Sequence, residues 1–201
     1  MKNHFVKCCL VIFIFCSCQK SVDTSVINLS IDLDPVPTLT GTTYTIFQGQ
    51  QYSDKNTYVP VNLTELKFKV KFDSSAIYKT VESCNQGDIN KLYGFSDNNS
   101  LHHNYSARFG WRWYNNALEI FAYNYNNSIV SFKKIGNATI GVEEMYDIKI
   151  VNDTYIFAFG ETTLKLPRLS TTTTGIGYKL YPYFGGTETA PHDIKIWIEE
   201  L

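Results

Sequence analysis

The chain has 201 residues, with 18 lysines and arginines against 19 aspartates and glutamates, and aromatic side chains make up 15% of it. A net charge near zero with the basic residues scattered excludes the electrostatic footprint of a nucleic-acid or anionic-surface binder. The length is enough for one domain with a substantial core.

The N-terminus opens with a short basic segment and the apolar run Cys8 to Cys16. At a helical rise that run reaches roughly 14 Å against about 30 Å of hydrocarbon, too short to span, and it has the layout of a secretory signal. The tetrad Phe15-Cys16-Ser17-Cys18 resembles the lipobox of bacterial lipoproteins, with Ser17 as the small residue before the cysteine. The resemblance implies a signal peptide over 1–17, lipidation of Cys18 and membrane attachment through that lipid. It also implies a place in the bacterial cell envelope, on the outer membrane. Cleavage leaves Cys84 as the one other cysteine, which excludes an internal disulfide framework. Cys84 sits in a polar turn with no adjacent base to activate it.

Residues 18–43 are rich in Ser, Thr and Asp and carry Pro35 and Pro37, as a tether would, although 26–33 alternates like a strand. The domain proper is expected over 44–201. Leu66 to Phe72 sets four apolar residues against three lysines, the pattern of a half-buried antiparallel strand. Further period-two runs follow at 105–114, 117–126, 129–135, 146–151, 155–160, 163–166, 178–184 and 194–199. Asn115-Asn116, Asn126-Asn127, Asn152-Asp153 and Gly185-Gly186 mark turns between them. One short helix fits 85–92. Many short strands joined by such turns predict an all-β, antiparallel two-sheet sandwich.

The densest chemistry lies between Leu101 and Tyr125. Alternation puts Ala107, Phe109, Trp111 and Trp113 toward the core and Ser106, Arg108, Gly110 and Arg112 on the other face. The two arginines stand about 13 Å apart, and Gly110 between them is expected to leave a gap where a ligand comes close. A hairpin through Asn115-Asn116 adds Glu119, Phe121, Tyr123 and Tyr125 to the same face. Such a face suits a sugar chain, with rings against pyranose C–H surfaces and arginine clamping a uronate or sulfate. The plainer reading is a cross-strand pair between Arg108 and Glu119, with the aromatics covering a second layer. Adjacent His102 and His103, if on a strand, point to opposite faces and cannot share a metal; one is a candidate base or sugar contact. In the loop before the last strand, Glu188, His192 and Asp193 could bind a cation such as calcium or line the mouth of a cleft.

The stretches Ser106 to Trp113 and Pro182 to Ile194 look like those of uncharacterised lipoproteins of the Bacteroidota. They are also similar in pattern to concanavalin-A-like jelly rolls, which include lectins, laminarinases and alginate lyases. The resemblance implies a jelly-roll sandwich and an association with a polysaccharide or other glycan. The acidic motif of the laminarinases and the Arg-X-Glu-Leu-Arg, Gln-X-His and Tyr-X-Lys-X-Gly-X-Tyr motifs of the alginate lyases are absent, so it implies no catalytic residue. The expectation is non-catalytic glycan binding through Arg108, Arg112, Glu119, Tyr123 and Tyr125, with His192 at the cleft mouth. The alternatives are a jelly-roll lyase or hydrolase, and a structural or adhesive envelope protein.

Overall fold

A computed structural model describes residues 40–201. The signal segment, Cys18, the alternating stretch at 26–33 and the tether up to residue 39 lie outside the described residues, and the last two residues of the expected tether, Thr42 and Thr43, already belong to the first strand of the domain. The alternation read at Leu66 to Phe72 is the centre of β3 (Glu65–Phe72), whose Phe68, Val70 and Phe72 are fully buried. Around it one sheet forms in the order β1 (Thr42–Ile46), β12 (Ile194–Glu200), β3, β8 (Glu143–Ile150), β9 (Thr154–Phe159) and β10 (Thr162–Pro167). The second sheet runs β2 (Pro60–Leu63), β11 (Gly175–Leu180), β4 (Asn90–Ser96), β5 (Ser106–Tyr114), β6 (Ala117–Asn126) and β7 (Ile129–Ala138). Every pairing is antiparallel. The chain is an antiparallel two-sheet sandwich.

The core lies between the sheets and is unusually aromatic. Phe68, Tyr146 and Phe157 from the first sheet meet Phe109 from the second, and Phe72 meets Trp111, with Phe109 set edge-on to both Tyr146 and Phe157 at about 5 Å. Edge-to-face packing of this kind adds to the burial of large apolar area. The hairpins close where asparagine accepts a left-handed backbone: Asn115 and Asn116 take φ of 50° and 57° between β5 and β6. That is the two-residue turn whose twist matches the strands. Between β6 and β7 the turn falls on Asn127 and Ser128, one residue later than the sequence suggested.

Two expectations are corrected. The helix expected at 85–92 is a single 3-10 turn, Ser83–Gly87, and the chain from Asn90 is strand β4. The strand expected over 178–184 ends at Leu180, and Tyr183 makes only isolated bridges, to Tyr52 and Lys91. In both cases packing against neighbours overrode the local pattern.

Candidate functional site

The inward set of β5 and β6 is buried as the alternation requires, so Arg108, Arg112, Glu119, Phe121, Tyr123 and Tyr125 share the outer face of the second sheet. Register then divides them. Arg108 stands opposite Tyr123, and Arg112 opposite Glu119. The pair to be corrected is therefore Arg108 with Glu119; the partner of Glu119 is Arg112, with Nε donating to the carboxylate at 2.6 Å. Lys134 on β7 donates to the other oxygen at 2.6 Å, and Arg112 Nη1 donates to the Gly87 carbonyl at 2.5 Å. Burial would raise the Glu119 pKa, but the hydrogen bonds from Lys134 and Arg112 outweigh it and hold the carboxyl below its ordinary range. This cluster is closed on itself. Gly110 leaves no gap either, because a Cβ there would lie 2.6 Å from the Ile89 Cγ2 that covers it.

Arg108 is different. It is 6% exposed, and among the described residues no side chain or backbone group accepts a hydrogen bond from it and no carboxylate pairs with it; its Nε is fully buried. Its guanidinium carbon sits 5.5 Å from the centre of the Tyr123 ring, and the Lys91 Nζ lies 4.7 Å over that same ring. Desolvation lowers the Arg108 pKa to about 10. Desolvation, and then the repulsion of Arg108, pull Lys91 down to about 8. Burying charge without a counter-charge is costly, and no described group offsets that cost at Arg108.

The space in front of these cations is a cleft of about 420 Å³, within the range of small-molecule sites. Its floor comes from Lys91, Arg108, Tyr123, Tyr125 and Tyr178, on β4, β5, β6 and β11. Its walls are loops carrying Tyr52 and Tyr58, Tyr183, and the turn of His102 and His103. No aspartate or glutamate of the described residues lines it. The histidines lie in a turn and not on a strand, so the expectation of opposite faces fails; their rings approach to 4.2 Å and both face the cleft. Burial, followed by the nearby Arg108, pushes His102 down to about 4, so the imidazole is neutral at physiological pH. Its Nδ1 lies 2.9 Å from the Tyr178 hydroxyl. Burial raises the pKa of Tyr123 and Tyr183 above the ordinary tyrosine value.

Lys91 was not singled out by the sequence, nor were Tyr52, Tyr58, Tyr178 and Tyr183. Lys91 owes its position to a bulge: between Lys91 and Gly94 the register of β4 on β5 shifts by one. Leu92 and Tyr93 therefore both turn into the core while Lys91 stays outside. Two glycines make room. A Cβ on Gly185 would lie 2.9 Å from Lys91 Nζ, and one on Gly94 would lie 2.4 Å from the Arg108 Cβ.

His192 is not part of the cleft. Its Nε2 lies 2.8 Å from the Ser75 carbonyl. Glu188 accepts from the backbone N–H of Val81 and Glu82 and from Asn85 Nδ2, at 2.7–2.9 Å, and Asp193 accepts from the Gln48 N–H. The three side chains thus tie three different loop segments, and among the described residues no group of three His, Cys, Asp or Glu gathers to hold a metal.

No family model and no curated protein matches the chain. Solved structures do share the fold. An alginate lyase, AlyC3, superposes with a TM-score of 0.55 at 10% identity, over 80% of this chain and 74% of that one. The same protein in complex with dimannuronate gives 0.53 at 11%, again over 80% and 74%. A family 16 endo-glucanase from Bacteroides ovatus gives 0.51 at 10%, over 80% of each chain. At such identities the likeness establishes the architecture, a jelly roll of the concanavalin-A-like type.

Proposed function

We propose that this protein binds an acidic glycan in the cleft over Arg108, as a lipoprotein displayed from the bacterial envelope through Cys18. The observation that carries the reading is the Arg108 side chain, 6% exposed with its Nε buried, which has neither a carboxylate nor a hydrogen-bond acceptor among the described residues and faces a tyrosine-lined cleft. An anionic ligand supplies the missing counter-charge in bidentate form. The rings of Tyr123, Tyr125, Tyr178 and Tyr183 supply the flat apolar surfaces against which pyranose C–H faces pack. The likeness to a lyase solved with dimannuronate fits a uronate-bearing ligand.

A second reading, β-elimination of a uronate, is favoured by the neutral His102 beside the Tyr178 hydroxyl. In that reaction Arg108 would offset the uronate carboxylate while a base takes the C5 proton. The C4–O bond breaks, a C4=C5 double bond forms, and the departing oxygen takes a proton from an acid such as a tyrosine hydroxyl. Hydrolysis has less support, because it uses a pair of carboxylates and none of the described ones lines the cleft.

The test is affinity electrophoresis of the intact protein through gels containing alginate, polygalacturonate or neutral β-glucan. Retardation by an acidic polymer, lost in Arg108→Met, is the expected result; retardation by the neutral glucan alone, or by none, overturns the reading. Ultraviolet absorbance of unsaturated product on incubation with the retarding polymer separates a lyase from a binder.

A further inference from the structure

Arg108 is not the only cation on the cleft floor. Lys91 comes from β4 and Arg108 from β5, both aimed at the face of Tyr123, and the Lys91 Nζ has one described acceptor, the Ile89 carbonyl. The groups that face Lys91 are known from each neighbouring element. They are Arg108 on β5, Tyr123 on β6, His103 in the turn before β5, Tyr183 in the loop after β11, and Asp88 just ahead of β4. Asp88 attracts it electrostatically but forms no ion pair with it among the described residues. Two positive charges therefore share one partly desolvated floor, and a ligand with a single negative charge would leave one of them uncompensated.

We propose that the cleft is a two-charge site: Arg108 and Lys91 each receive one negative charge carried on the same glycan segment. The shared chemistry is a pair of closely spaced anionic groups, either the carboxylates of consecutive uronates or a carboxylate and a sulfate. The inference rests on the acidic-glycan reading and narrows it. The cleft runs from β11 to β6, three inter-strand spacings or roughly 14 Å, which is room for more than one sugar.

The site also carries a signature that simple charge attraction lacks. Lys91 sits low in the free protein because it is buried beside Arg108. An anion against it raises its proton affinity, so binding takes up a proton wherever the free lysine is partly neutral. With a free value of about 8, uptake at pH 8.5 is roughly three-quarters of a proton and at pH 7 roughly a tenth. The sign is fixed: affinity is full below the free pKa and falls as pH rises through and above it.

The experiment is isothermal titration calorimetry of the intact protein in two buffers of different ionisation heat, at pH 7 and pH 8.5. The probes are a mannuronate tetramer, a chondroitin-type sulfated disaccharide and methyl glucuronide, which has one charge. Proton uptake at the higher pH is expected with the tetramer or the disaccharide, and whichever binds tighter identifies the source of the second charge. Methyl glucuronide is expected to bind on the order of tenfold more weakly. Lys91→Met is expected to lose the uptake and to bind the tetramer and the disaccharide on the order of tenfold more weakly while leaving methyl glucuronide unchanged. If the tetramer binds with no uptake at pH 8.5, and equally well to Lys91→Met, the two-charge site is overturned while acidic-glycan binding stands. If no acidic probe binds wild type, the parent reading fails and takes this one with it.

Discussion

Arg108 and Arg112 stand four residues apart on one face of one strand, yet only Arg112 has a carboxylate. The difference is made across the strands, where Arg112 faces Glu119 and Arg108 faces Tyr123. Disturbing the Arg108 site and the Arg112–Glu119 pair should have opposite consequences. Arg108→Met takes away a buried charge without a described partner, so it should leave the fold unchanged or raise its stability by about 1–3 kcal/mol while abolishing retention by an acidic polymer. Glu119→Gln should lower stability by about 1–3 kcal/mol and leave retention intact, since the cluster lies outside the cleft. Urea unfolding measured beside affinity electrophoresis checks both. Because the folded Glu119 pKa is depressed, its contribution is complete above the unfolded value of about 4.3 and disappears as pH falls through the folded one. The gap between wild type and Glu119→Gln should therefore be widest near neutrality and close in acid. Alternation along β5 and β6 was legible in the sequence and placed all six side chains on one face. The alignment of one strand against the other was not, because a two-residue period says nothing about which residue lies opposite.

At the scale of the element, β4 explains both what the site needs and why it was hidden. Asn90-Lys91-Leu92-Tyr93-Gly94-Phe95-Ser96 breaks alternation at Leu92-Tyr93, since the bulge turns both inward, and a strand without a clean period reads as something else. The cleft walls are harder still. Tyr52, Tyr58 and Tyr183 come from irregular segments brought together by long-range contacts, and no local pattern announces them. Gly94 is the buried weak point of this arrangement. Its missing Cβ would lie 2.2 Å from the Ala107 carbonyl oxygen and 2.4 Å from the Arg108 Cβ, so Gly94→Ala must push β4 and β5 apart. Backbone cannot yield as a flexible side chain does, and a cost of about 1–3 kcal/mol is expected. Retention should fall with it, because the strand that shifts carries Arg108. Loss of stability with full retention would mean that the two cations do not depend on this contact.

The molecule as a whole contains a counterpart to Arg108. It buries a second arginine, Arg168, which follows β10 in the first sheet and is 2% exposed. That guanidinium is fully engaged: Nε and Nη2 donate to the two oxygens of Asp97 at 2.7 and 3.1 Å, and Nη1 and Nη2 also reach the carbonyls of Thr172 and Thr174. Asp97 follows β4 in the second sheet and also accepts from the Tyr155 hydroxyl of β9, so the pair ties one sheet to the other. Where an arginine is buried for the sake of the fold, then, this chain provides a carboxylate and satisfies the rest. The contrast makes Arg108 a departure from the chain's own practice, and the departure faces the cleft. It also sets a scale. Asp97→Ala strands Arg168 without its counter-charge and should cost about 3–5 kcal/mol, whereas adding Arg168→Met to it should restore part of that loss. If chemical denaturation finds Asp97→Ala as stable as wild type, this protein tolerates an unpaired buried guanidinium at little cost. The isolation of Arg108 would then no longer argue for a ligand.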